Sequence, residues 1–179
     1  MSYSGAAPVN HPFQLTSRPA SDDVDTRITP AEIFDPLHAA HRFTLDAAAS
    51  ATNARVPRFF DRSTDGLKQP WRCERVWCNP PFSALPAWVA KAWNETNPKG
   101  LGRPGADVVV MLLPANRTEQ PWWQKYVEPH RDQPNGRVQT HFVRRRRSFA
   151  SEANPAGKFV GSPPFGLVLV TFRPVVALP

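Results

Sequence analysis

Cysteine is scarce in this sequence. The 179-residue chain has two, Cys73 and Cys78, with four residues between them. Structural zinc needs paired clusters of Cys and His, and the five histidines (His11, His38, His41, His130 and His141) are scattered, so no metal is expected. A disulfide is not expected in a chain of this size without a secretory signal. No apolar run approaches the ~20 residues that cross a bilayer. The opening stretch, MSYSGAAPVNHPFQLTSRPA, lacks the apolar centre of a signal peptide, so the expected location is cytoplasmic, with no membrane partner. There is no internal repeat. Acid is also short: 15 Asp and Glu face 22 Lys and Arg, for a net charge of +7. Such a surface attracts polyanions and favours a nucleic-acid partner.

Proline is abundant. Its 21 positions are over twice the usual share of ~5%, so many turns and long ordered loops should surround a small core. The length suits one domain. Residues 1–26 lack periodicity and read as a flexible tail; residues 27–179 read as a single domain. Thr29-Pro30-Ala31-Glu32 has the spacing of a capping box, with Thr29 as the cap. Ile33, Phe34, Leu37 and His41 then recur at helical spacing, predicting a helix over 30–41.

Phe43 to Asp46 reads as a short strand ending at an acid, followed by the small residues Ala47, Ala48, Ala49 and Ser50. A long connection over 52–70 leads to a second strand, Arg75-Val76-Trp77-Cys78. It halts at Asn79-Pro80-Pro81-Phe82-Ser83, because two prolines forbid further ladder bonds. Ser83 is placed to cap the next helix, whose apolar face is Leu85, Val89, Ala92 and Trp93. A buried strand over 107–113, a short helix over 122–127 and strands over 138–143 and 166–172 complete the pattern. Loops rich in Pro and Gly occupy 94–106 and 150–164. Strands alternating with helices predict an α/β domain with a mostly parallel twisted sheet and helices on both faces. Ligands in such sheets bind beyond the carboxyl ends of the strands, where both Asp46 and Asn79 fall.

Asn79 to Phe82 admits two readings. One is a plain turn closing a strand. The other is a grip for a planar amine. A base amine is a poor nucleophile because its lone pair is delocalised into the ring. Two acceptors that take both amine hydrogens would point that lone pair at an incoming methyl group. The Asn79 side-chain carbonyl is one acceptor, and the backbone carbonyl of Pro80, held by the fixed φ of proline, is the other. Phe82 can stack on a base flipped out of the duplex. A sulfonium methyl donor is already activated, so catalysis reduces to positioning and electrostatics.

Residues 28–172 resemble the phage-type DNA adenine methyltransferases, the small Dam-like enzymes of phages and prophages. The resemblance is carried by Thr29-Pro30, Phe43-Thr44-Leu45-Asp46, Asp65-Gly66-Leu67, Trp71, Val76 to Ser83, and Val110-Met111-Leu112-Leu113-Pro114-Ala115. It implies a Rossmann-like fold and S-adenosyl-L-methionine as methyl donor. It also implies adenine in double-stranded DNA as substrate, with Asn79, Pro80, Pro81 and Phe82 catalytic. Thr29, Pro30, Asp46 and Asp65 would bind the cofactor; each also reads as an ordinary helix start or turn. The sequence departs from many methyltransferases in having Ala47-Ala48-Ala49 where a glycine-rich loop is common, and Phe82 where the motif often has tyrosine. Arg144, Arg145, Arg146 and Arg147 follow a strand and suit phosphate contact, or simply a solvated strand end. Trp71 and Trp77 are candidates to border the cofactor. The resemblance implies a monomeric, phage-encoded enzyme of the bacterial cytoplasm, protecting phage DNA from restriction. Two alternatives stay open: another planar amine (cytosine, an RNA base or a protein glutamine), and a nucleic-acid-binding module without catalysis.

Overall fold

The apolar run after Asp107 becomes the middle of a sheet. A computed structural model describes residues 28–97, 105–144 and 165–174, and its strands are β1 (Leu45–Asp46), β2 (Arg75–Cys78), β3 (Val108–Pro114), β4 (Val138–Phe142) and β5 (Leu167–Phe172). They form one five-stranded sheet in the order β1-β2-β3-β5-β4. The tail expected over 1–26, the loop 150–164 and residues Arg145, Arg146 and Arg147 lie outside the described residues.

The expectation of a mostly parallel sheet holds for the first three strands. β1 pairs with β2, and β2 with β3, in parallel. The β3–β5 and β5–β4 ladders are antiparallel. Two reversals restore direction, so β1, β2, β3 and β4 all point the same way and only β5 opposes them. The cause is adjacency: β4 leaves at one edge of the sheet and β5 re-enters beside it at that edge, which needs no crossover.

Alternation along each strand loads both faces. Val76, Cys78, Val109, Met111, Val168 and Val170 face one core. It is covered by α2 (Leu85–Glu95), through Leu85, Trp88, Val89 and Ala92, and by α3 (Pro121–Tyr126), through Trp122 and Trp123. Trp77, Val108, Val110, Leu112, Leu167 and Leu169 face the other core, with Ile33 and Phe34 of α1 (Ala31–His41). All seven residues of β3 are buried, as a central strand covered on both faces requires.

Two helix starts differ from expectation. α1 begins at Ala31 with Pro30 as its N-cap and no side-chain capping bond among the described residues; Ile33 and Phe34 amides donate to the Pro30 carbonyl instead. Pro30 adopts φ −58° and ψ 142°, so the chain turns helical one residue after it. Thr29 is buried rather than acting as the cap. Likewise Ser83 does not cap α2: the chain enters through a 3-10 turn, Phe82–Ala84, and Ala84 is the N-cap. Proline at the start of α2 fits, since the first helical amides have no partner to lose.

Candidate active site

β1 and β2 end side by side. Asp46 stands opposite Trp77, and the amide of Ala47 donates to the Trp77 carbonyl at 2.9 Å. The acid-ended strand and the Asn-Pro-Pro stop therefore share one edge of the sheet. A cleft of about 650 Å³ opens there. Residues 47–50 and Asn53 line one side, and Pro81 and Ser83 bring the Asn79–Ser83 segment to the wall. Phe60, the turn 61–63, Asp65, Gly66 and Trp88 complete it.

Asp46 lies behind that wall. It is 2% exposed, and its carboxylate accepts the Arg55 amide at 3.0 Å and the Ala48 amide at 3.5 Å. Burial pushes its pKa up to about 6, against the pull of those two amides and the Arg55 charge. The side chain thus ties down the loop 48–55 from within. Arg55 anchors the far end of this loop by ion-pairing with Asp35 at 3.1 Å and by resting 4.7 Å over the Phe34 ring. Segment 58–60 runs beside β1 as a further ladder: Asp46 donates to the Arg58 carbonyl and Phe60 to the Asp46 carbonyl. That ladder delivers the Phe60 ring to the cleft.

The 61–66 turn is built from its own side chains. Asp61 Oδ1 accepts from the amides of Ser63 and Thr64, both at 2.9 Å, and from both hydroxyls. These donors, led by the Ser63 hydroxyl, hold its pKa down at about 2. Asp65 takes φ 52°, a left-handed conformation that Asp tolerates better than most residues. Its carboxylate meets Lys68 Nζ at 2.9 Å, and that bond lowers its pKa. Gly66 touches the end of β1 so closely that a Cβ there would sit 2.2 Å from the Ala47 carbonyl oxygen. Its carbonyl accepts the Trp71 indole N–H at 3.0 Å, and Trp71 stacks on Trp88 with centroids 6.3 Å apart.

The predicted site residues divide accordingly. Asp65 lines the cleft, as do Pro81 and Ser83. Asn79 follows the last residue of β2 and is half-buried, and Pro80 is buried. Phe82 is half-buried, its ring 6.0 Å from that of Phe165. Thr29 and Pro30 stand at the start of α1 and are not among the residues of the cleft wall. Neither Trp71 nor Trp77 is among the residues that line the cleft. Trp77 is fully buried against Phe34 on the opposite face, and Trp71 is fully buried beneath Trp88, which is the tryptophan that lines the cleft. Arg144 is exposed just past β4. β4 points the same way as β2, so Arg144 shares the edge that carries Asn79, three strand positions along.

Residues 16–161 match the family described as DNA N-6-adenine-methyltransferase (Dam). The chain belongs to the Dam family. Among its relatives is the DNA N-6-adenine-methyltransferase of Escherichia phage T1, 33% identical over 92 residues. That alignment covers 50% of this chain and 36% of the phage protein, so the chain spans little more than a third of that relative's length. No solved structure matches the chain.

In this Dam-family chain the sequence reading missed Phe60, Asp61, Ser63 and Trp88. The Asp61-Arg62-Ser63-Thr64 stretch carries a signal that could have found the turn, an Asp followed by hydroxyl residues that bond back to it. Trp88 carries none, because only the tertiary fold shows which α2 residue meets the cleft.

Proposed function

We propose that the chain transfers a methyl group from S-adenosyl-L-methionine to the exocyclic amine of adenine in double-stranded DNA. The observation that carries this reading is the shared wall: the segment Asn79-Pro80-Pro81-Phe82-Ser83 supplies Pro81 and Ser83 to the cleft that the small-residue loop 47–50 closes from the other side. A donor bound there lies next to the acceptor grip.

The residues present fit that cofactor. The volume of about 650 Å³ suits a nucleoside-sized ligand, and Phe60 and Trp88 offer flat apolar faces. Asp61 and Asp65 offer carboxylates held in their ionised form for hydroxyl or amine donors. Ala47 to Ala49 allow the backbone close approach without glycine. When bound, S-adenosylmethionine supplies an electrophilic methyl group on a sulfonium. Asn79 Oδ1 and the Pro80 carbonyl accept the two amine hydrogens, Pro81 stiffens the turn that aims them, and Phe82 stacks on the base. The two cysteines support amine over ring-carbon chemistry. Methylating a ring carbon calls for a nucleophile that adds to the ring. Burial holds the Cys78 thiol protonated, and exposed Cys73 precedes β2, at the edge away from Asn79.

The strand order and the common direction of four strands support a Rossmann-like methyltransferase fold. The positive charge supports DNA as partner, and no helix among the described residues is long and apolar enough to cross a membrane. We further propose a monomer, phage-encoded and acting in the host cytoplasm, where it would protect DNA from restriction. In that reading Asp65 contacts the cofactor directly, Thr29 and Pro30 support its methionine end, and Asp46 shapes the loop that holds it. Label transfer from radioactive S-adenosylmethionine to unmethylated DNA, with RNA and protein as competing acceptors, tests the reading. Label on DNA alone is the expected result.

Two smaller predictions arise here. Arg144 lies roughly 14 Å from the acceptor strand, three strand spacings away, close to the ~12 Å width of the major groove. Arg144→Ala should weaken DNA binding evenly across sequences and reduce the slope of log affinity against log salt by about one unit. Fluorescence anisotropy at several salt concentrations measures both. The second concerns Asp46. Its folded pKa of about 6 lies above the ordinary 3.8, so the folded chain takes up a proton first as pH falls. This group alone therefore makes folding stability decline as pH rises from about 4 to about 6. Cofactor affinity should run the other way, because a protonated carboxyl can no longer accept both amides that shape the loop. Calorimetric affinity for S-adenosylmethionine should drop between about pH 7.5 and about pH 5 in the unaltered chain, and stay flat in Asp46→Asn.

A further inference from the structure

Phe82 opens a 3-10 turn of three residues, Phe82–Ala84, with no side chain capping it among the described residues. So short a turn constrains ring orientation weakly, and packing must set it. Phe82 packs against the margins of both cores at once, as a ring at the very end of the sheet does. Phe165 comes at it from the far side. In the order β2-β3-β5, Phe82 follows β2 and Phe165 precedes β5, so the two flank the end of β3. Strands two positions apart lie ~9.6 Å from each other. The ring centroids are only 6.0 Å apart, with planes at 58°, so the rings lean together over the end of β3. The Phe165 backbone has little freedom: Leu167 pairs with Pro114, and the Ala115 amide donates to the Gly166 carbonyl at 2.9 Å. Phe165 also lies beyond the residues 16–161 that match the family.

We propose that Phe165 is a positioning residue for the transfer, fixing the ring of Phe82 and, through that ring, the plane of the flipped base. The proposal rests on the reading of Asn79 to Phe82 as the acceptor grip. Neither Phe82 nor Phe165 is among the residues of the cleft wall, so the effect of Phe165 falls on the acceptor and not on cofactor binding. A tilted aromatic contact is lost on truncation, whereas a tyrosine keeps the ring.

The test compares Phe165→Ala, Phe165→Leu and Phe165→Tyr with the unaltered chain, using plasmid DNA free of adenine methylation and radioactive S-adenosylmethionine. Phe165→Ala should lower kcat ten- to a hundredfold, the cost of a misplaced reacting group, with calorimetric affinity for S-adenosylmethionine within about twofold of the original. Phe165→Leu, which keeps apolar bulk and guards against loss of folding, should also lose kcat, and Phe165→Tyr should restore it. Placing the target adenine opposite a mismatch lowers the cost of flipping, and should recover part of the loss in Phe165→Ala. A purely structural role would instead lower cofactor affinity and kcat together and would not respond to the mismatch; that pattern, or an unchanged kcat in both truncations, overturns the proposal. If the unaltered chain itself methylates no DNA, the parent reading fails and this one with it. Transfer by the unaltered chain separates the two failures.

Discussion

Asn79→Ala should abolish most methyl transfer while leaving the cofactor site intact. Removing one preorganised hydrogen-bonding group from a reacting centre typically lowers kcat by about 10²–10³-fold. A loss of that size is expected here because nothing else at the end of β2 replaces a side-chain amide carbonyl: the next residues are Pro80, Pro81 and Phe82. Cofactor affinity should stay within about twofold, since Pro81 and Ser83 are the motif residues that line the cleft. Asn79 is half-buried, so truncation leaves room for water and the fold should survive. Single-turnover transfer alongside calorimetry with S-adenosylmethionine separates the two effects. Undiminished transfer would place the acceptor grip elsewhere.

Gly66→Ala should act on the cofactor side. The added Cβ would sit 2.2 Å from the Ala47 carbonyl oxygen and 3.1 Å from the Trp88 ring. The first contact sets a Cβ fixed directly to the backbone against a backbone oxygen, just past the end of β1, and neither can swing away. The turn must retreat, either opening the cleft wall or breaking the bond from Trp71 to the Gly66 carbonyl. Overpacking of this kind costs ~1–3 kcal/mol, which lowers Tm by several degrees in a chain of this size. The cofactor effect should be larger, a loss of more than tenfold in affinity, because both displaced segments belong to the wall. A thermal melt and a calorimetric titration of the same sample check the pair. A melt shifted as expected with full affinity would mean the cofactor sits away from Gly66.

These two residues illustrate what the sequence discloses. The turn at Asn79 was visible because two prolines after an apolar run can only stop a strand, and the chemistry of an amide at that stop is local. The strands predicted over 75–78, 107–113, 138–143 and 166–172 were legible to within a residue at each end, because short runs rich in apolar and β-branched residues, bounded by Pro and Gly, are written in the chain itself. The need for glycine at 66 was not legible, since it arises from contact with Ala47, nineteen residues earlier, across an irregular connection. Trp88 and Phe165 were hidden in the same way, one by helix rotation and one by strand order. The capping box at Thr29 failed for a different reason: Pro30 holds φ −58° and ψ 142°, and so starts the helix one residue late. Asp46 was singled out rightly as a strand-end acid, yet its carboxylate faces the loop amides of Ala48 and Arg55.

The central claim is that Asn79 and Pro80 grip the exocyclic amine of adenine. DNA incubated with the chain and isotopically labelled S-adenosylmethionine, digested to nucleosides and read by mass spectrometry, tests it most directly. The account predicts label in N6-methyldeoxyadenosine, accumulating about a hundredfold or more slowly in that nucleoside when Asn79→Ala is used. Label in a cytosine derivative, or none in DNA at all, would contradict it.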